Sequence, residues 1–204
     1  MLFMPVTVGP IDENCYLVYL EPSRRLYVID PGADADRIIE TTTKLPPFDE
    51  TRILLTHAHV DHIGAVGEIA RRLNVTRVML DPADVAIYRS PYNDIPPILP
   101  VARDLPETTD FSPDGDFTVL RVPGHTPGGC AFLFKEGERK LLFCGDTLFA
   151  GSVGRTDLPG GDWETLIGSI RRELLPLDPD TPVFPGHGGG TTIGEEKAQN
   201  PYLQ

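Results

Sequence analysis

Residues 57–62 read HAHVDH and follow at once on RILLT, a short apolar run of strand length. Three imidazoles and a carboxylate in six residues repel one another when protonated and share no packing role. A metal ion is the economical reason for their company. The strand sets their directions: side chains alternate along extended backbone, so His57 and His59 point to one side. Asp61 and His62 fall where the chain turns into a helix and aim elsewhere, although Asp61 would also suit a helix cap. The hexapeptide offers one imidazole pair and one carboxylate–imidazole pair, and any fold must set it at the open end of a buried strand.

The rest of the chain agrees with such a fold. Short apolar runs at 16–20, 26–29, 53–55, 78–80, 117–122, 131–134, 141–144 and 182–184 predict strands. Asp162 is placed to cap a helix whose stripe is Trp163, Leu166, Ile167, Ile170 and Leu174, with Arg171 and Arg172 near its end. Val66, Ile69, Ala70 and Leu73 make a second stripe, and Thr192 with Glu195 forms a capping box for a third, short helix. These stripes read as core faces. Strands alternating with helices predict the α/β class.

At 204 residues a single domain is expected, with a core that needs no disulfides. Cys15, Cys130 and Cys144 lie far apart with no CxxC, which predicts neither a disulfide framework nor a cysteine zinc cage; Cys144 reads as a small buried hydrophobe. The start of the chain lacks a signal-peptide pattern and no apolar run nears the ~20 residues of a membrane span, so a cytoplasmic protein without a membrane partner is expected. Residues 90–116 carry prolines at 91, 96, 97, 100, 106 and 113 with little periodicity, the composition of a binding loop or of disorder. Thirty Asp and Glu against eighteen Lys and Arg give a net charge of −12. Such a field repels phosphate backbones, which excludes general nucleic-acid binding, and favours cations.

Two more histidines share one setting. His125 lies in VPGHTPGG and His187 in VFPGHGGG, each after a strand-like run and a Pro-Gly pair that lets the loop bend sharply. Asp146 follows LLFC in CGDTLF, where it could equally form a turn. GHGGG lacks a following GKS or GKT, so it is not a P-loop.

HAHVDH, GHTPGG, CGDTLF and PGHGGG, in this order, resemble the metallo-β-lactamase superfamily, and more narrowly its short glyoxalase II-like hydrolases. The likeness extends from ENCYLVY and VIDPGAD to the terminal NPYL. It implies a four-layer αββα sandwich with a dinuclear metal site at one edge. Carried over position by position, His57, His59 and His125 would hold the first metal; Asp61, His62 and His187 the second; and Asp146 would bridge. Asp30, in VIDPGAD, matches an aspartate that supports the ligands, and is equally suited to a turn before Pro31-Gly32. Arg155, in GSVGRTDLPGG, is placed either to bind a substrate carboxylate or to anchor its loop through Asp157.

The resemblance implies two divalent metals. Zinc suits the imidazole-rich site, and iron or manganese is tolerated by the mixed one. Two such ions lower the pKa of a shared water to about 7, which implies hydrolysis of a small-molecule thioester of the S-lactoylglutathione type. A thiolate, of pKa about 8.5, leaves without a proton donor, whereas an amide needs one and only Asp61 offers itself as a catalytic acid. The alternatives are a mononuclear-iron persulfide dioxygenase using His57, His125 and Asp146, or a lactone or β-lactam hydrolase. Full-length glyoxalase II proteins add a C-terminal helical domain that binds glutathione. This sequence stops at Gln204, soon after His187, so the metal chemistry carries over and that glutathione surface does not.

Overall fold

The computed structural model describes residues 1–111 and 115–204. The chain divides into two compact units, Met1–Phe111 and Ser112–Gln204.

In the first unit the order is β1 (Leu2–Val8), β2 (Glu13–Leu20), β3 (Arg25–Ile29), α1 (Ala35–Thr42), β4 (Glu50–Leu54), α2 (Val60–Ile63), α3 (Val66–Arg72), β5 (Arg77–Met79) and α4 (Val85–Tyr88). The strands form one mixed sheet in the order β1-β2-β3-β4-β5. β1, β2 and β3 are antiparallel in turn, while β3, β4 and β5 run parallel. Every residue of β2 is buried, which explains its unbroken apolar run. Leu17, Val28 and Ile53 join Ile38 of α1 and Val66 and Ile69 of α3 in one core. Because β3, β4 and β5 point the same way, Asp30, the HAHVDH segment and the Asp81–Asp84 turn all leave the same edge of the sheet. That edge is where open α/β sheets place their chemistry.

The second unit runs β6 (Phe117–Arg121), β7 (Cys130–Glu136), β8 (Arg139–Gly145), β9 (Leu148–Phe149), β10 (Ser152–Val153), α5 (Trp163–Ser169), β11 (Pro182–Pro185), β12 (Thr191–Thr192) and α6 (Ile193–Gln199). Its sheet has the order β12-β11-β8-β7-β6. β7 is antiparallel to β6 and β8, and β11 is parallel to β8. So β6, β8 and β11 share one direction, and the loops bearing His125, Asp146 and His187 leave the same edge. Leu133, Leu142, Cys144 and Val183 pack with Leu166, Ile170, Leu174 and Ile193 in its core.

The helix signals hold in detail. Asp162 accepts the Thr165 N–H at 2.8 Å, and the Thr192–Glu195 capping box is complete. One residue departs from its stripe: Trp163 is 45% exposed and meets the Tyr202 ring edge-on at 5.9 Å. β1 and α1 carry weak signals. Pro5 interrupts the first, and the second starts from a left-handed Asp34 and ends in threonines, poor helix formers. Of the proline-rich segment, residues 112–114 lie outside the described residues. The part before them is ordered, with Thr109 paired to Met79 at the edge of β5 and Tyr88 Oη donating to the Pro106 carbonyl at 3.2 Å. No helix among the described residues is long and apolar enough to cross a membrane.

At the far end of β4, Glu50 accepts from Arg25 Nε and Arg52 Nε, both at 2.7 Å, and from Thr76 Oγ1 at 2.8 Å. Burial alone would raise its carboxyl, but hydrogen bonds from Arg52, Arg25 and Thr76 outweigh it and hold the pKa at about 2. A depressed carboxylate stabilises the fold fully above its unfolded value near 4.5 and loses that contribution as pH falls toward 2. The shift corresponds to about 3 kcal/mol at 1.36 kcal/mol per unit, trimmed by partial exposure to about 2. Urea denaturation should find Glu50→Gln about 2 kcal/mol less stable than the parent at pH 7, with the gap closing between pH 4.5 and 2. A gap that did not change with pH would contradict this assignment.

Candidate metal centre

Two neighbouring parallel strands bring Asp30 and His57 together. Asp30 follows β3 and donates its backbone N–H to Leu54 O at 3.0 Å. Its φ is +48°, a left-handed conformation that costs a non-glycine residue about 1 kcal/mol or more. Its side chain accounts for that cost. Asp30 Oδ1 accepts the Thr56 N–H at 2.7 Å, and Oδ2 accepts from Thr56 Oγ1 at 2.5 Å and from His62 Nδ1 at 3.0 Å. Both sequence readings of Asp30 are therefore true at once, turn former and support for the ligand segment.

These bonds fix two tautomers. The Thr56 hydroxyl donates to Asp30, so it accepts at 3.1 Å from His57 Nδ1–H. His62 Nδ1–H likewise points at Asp30. Each ring is held through Nδ1 with Nε2 on its far side, the arrangement by which a hydrogen-bond partner orients a metal-binding histidine. The three imidazoles are close packed, with the His57 centroid 4.9 Å from His59 and 4.1 Å from His62. His57 and His62 are buried, as is Asp61, whose Oδ2 lies 3.6 Å from His62 Nε2. Thr56 was not anticipated from the sequence. Its signal was a hydroxyl closing an apolar strand directly before a histidine.

The second unit carries its own cluster. His125 Nδ1–H donates to the Arg155 carbonyl at 2.7 Å, which again leaves Nε2 as the donor atom. His125 Nε2 and His187 Nε2 stand 3.7 and 3.8 Å from the same oxygen, Asp146 Oδ2. Those distances are too long for hydrogen bonds. They suit donors grouped around a cation, since metal–nitrogen bonds near 2.1 Å set tetrahedral ligands roughly 3.4 Å apart. Asp30, His57 and His62 of the first unit could together hold an ion, and the imidazole and carboxylate donors of both units fit divalent metals in their chemistry. Arg155 serves its loop: the guanidinium makes a two-pronged ion pair with Asp157 at 2.7 and 2.8 Å, and the backbone carbonyl orients His125. The guanidinium bonds hold Asp157 at a pKa of about 2.

Gly32 lets the Asp30 turn pass beneath the ligand segment. A Cβ there would run into the Asp61 carbonyl oxygen and stand 2.7 Å from its carbon. Backbone cannot yield as a flexible side chain would, so Gly32→Ala should cost about 3 kcal/mol and displace Asp61. Thermal melts and metal content check this together, and an alanine variant with the parent's melting temperature and full metal would refute it.

Beside the segment, in the first unit, lies a cavity of about 710 Å³ lined in part by Val60, Gly64 and the 99–104 stretch. Its walls carry both signs of charge, Arg71 and Arg103 against Asp34, Glu68 and Asp104.

Residues 8–187 match the family model described as the metallo-β-lactamase superfamily. Hydroxyacylglutathione hydrolase GloC of Haemophilus influenzae is 38% identical over 217 aligned residues, spanning 98% of this chain and 96% of that protein. Among solved structures, TTHA1623 in a di-iron-bound form gives a TM-score of 0.83 at 40% identity, covering 98% of this chain and 100% of that one. The B3 metallo-β-lactamase BLEG-1 gives 0.79 at 33% identity, with 100% of both chains covered.

Proposed function

Since the chain belongs to the metallo-β-lactamase superfamily and is a metallo-hydrolase, we propose that it cleaves thioesters of the S-lactoylglutathione type to a hydroxy acid and a thiol. In this reading His57, His59 and His125 would hold one divalent ion, Asp61, His62 and His187 would hold a second, and Asp146 would be a further ligand. The observation that carries it is the fixed tautomer of His57, His62 and His125, each presenting Nε2 while Nδ1 is tied to the protein. Two divalent ions, when bound, supply a water of pKa near 7 and polarise an acyl oxygen.

The chain's own residues do the rest. Asp30 and Thr56 keep the donor atoms of His57 and His62 aimed. A thiolate departs without a dedicated acid, which matches a site whose carboxylates are assigned to the metals. Zinc suits the imidazole-rich set, and iron is the metal named in the TTHA1623 structure.

The test is a turnover assay on protein whose metals have been quantified, offering S-lactoylglutathione, a lactone, a β-lactam and a glutathione persulfide. Thioester hydrolysis without oxygen uptake is the expected result. Oxygen consumption with the persulfide and no thioester turnover would replace this reading with an iron dioxygenase, and β-lactam turnover alone would replace it with a lactamase.

A further inference from the structure

The residue between the first two histidines is held from both sides by side chains outside the HAHVDH segment. Ala58 is fully buried. Its N–H donates at 3.1 Å to Oδ2 of Asp84, an aspartate 0% exposed at the end of the turn that follows β5. Its carbonyl accepts at 2.8 Å from Nδ2 of Asn93, which also donates to Ile87 O at 3.2 Å. A segment leaving a strand no longer has the ladder to satisfy its backbone, and buried backbone groups must find partners elsewhere. Here the partners are two side chains from the 84–93 stretch, one an acceptor and one a donor.

That choice has a geometric effect. The N–H and the C=O of Ala58 belong to the two peptide planes that flank it, one shared with His57 and one with His59. Fixing both planes fixes φ and ψ at Ala58, and those two angles decide how the His57 and His59 side chains stand to each other. The rings sit edge-on with centroids 4.9 Å apart. Rotation of either plane would swing one imidazole away from the other.

We propose that Asp84 and Asn93 are positioning residues of the metal centre. They do not ligate; they hold His57 and His59 at chelating separation, and through Asn93 they tether the start of the proline-rich segment to the ligands. The proposal rests on the reading that His57 and His59 bind a metal ion.

The test uses the full chain and four variants: Asp84→Ala, Asp84→Asn, Asn93→Ala and Asn93→Asp. Asp84→Asn keeps an oxygen acceptor for the Ala58 N–H. Asn93→Asp sets a carboxylate oxygen against the Ala58 carbonyl and should be worse than Asn93→Ala. Zinc affinity is measured by chelator competition, cobalt-substituted protein is read by its visible ligand-field spectrum, and melting temperature is followed in parallel. We expect Asp84→Ala and Asn93→Asp to weaken one metal equivalent by about 10- to 100-fold and to change the cobalt spectrum. Asp84→Asn should stay within about threefold of the parent. A role in stability alone would lower the melting temperature and leave affinity and spectrum unchanged, which overturns the proposal. Should Asp84→Ala not fold, the Asn93 pair decides by the same readouts. A parent protein that takes up no metal overturns this proposal together with the metal reading. A parent that binds two ions, with variants that bind them as well, overturns this proposal alone.

Discussion

If the proposed reading holds, a His62→Ala protein should bind about one metal equivalent fewer than the parent, and its hydrolytic turnover should fall by about a thousandfold or more. The expectation comes from the ring's position. His62 is 0% exposed, its Nδ1 is committed to Asp30, and its Nε2 lies 3.6 Å from Asp61 Oδ2. Removing it takes away one donor of a carboxylate–imidazole pair and leaves Asp61 beside a cavity. A second ion contributes several kcal/mol of charge stabilisation to an acyl-transfer transition state, and each 1.36 kcal/mol is a factor of ten. His187→Ala should behave alike, because it removes the corresponding donor beside Asp146. Metal analysis and steady-state kinetics on both variants check the expectation. Full turnover with a single bound ion would show that the second is dispensable and would end the dinuclear reading.

The other large effect belongs to a residue that need not touch a metal. Asp30→Asn is nearly isosteric, yet it should reduce metal affinity by about 10- to 100-fold. The carboxylate accepts three hydrogen bonds, two from Thr56 and one from His62 Nδ1. An amide offers one acceptor oxygen, and its NH₂ must face either the Thr56 N–H or the Thr56 hydroxyl and His62 Nδ1–H. In the second orientation His62 would turn its other tautomer toward the amide, moving the proton to Nε2, where the metal should bind. Chelator competition on the variant gives the affinity, and histidine ¹⁵N chemical shifts report the tautomer. An unchanged affinity with His62 still protonated on Nδ1 would show that the carboxylate only shapes the turn.

The donors were legible in the sequence because their chemistry is crowded: three imidazoles and an acid in six residues have few other uses. The strand-end positions of His125, Asp146 and His187 were legible for a different reason, since each closes a short apolar run and opens a glycine-bearing loop. The two roles of Asp30 could not be separated beforehand. A turn former and a hydrogen-bond hub both look like an aspartate before Pro-Gly, and only the parallel pairing of β3 with β4 brings Thr56 and His62 to it. Arg155 shows a limit of another kind. What orients His125 is its backbone carbonyl, which every residue possesses, so the side chain carried no hint. Asp84 and Asn93 were invisible because they act on the backbone of Ala58, a residue with no chemistry of its own. Trp163 fitted the apolar period of its helix yet lies at the rim, where Tyr202 covers one edge of the ring.

The pairing of Thr109 with Met79 reaches beyond the site. A sheet ending in β5 would show a bare row of amides and carbonyls, a template onto which a stray strand from another molecule could add. Thr109 takes up that position through bonds from its N–H to Val78 O and from Leu80 N–H to its own carbonyl. At the opposite border Pro5 removes one amide donor from β1. A residue paired onto one border and a proline in the strand at the other are devices that discourage edge-to-edge addition, and the proline-rich stretch supplies the first of them.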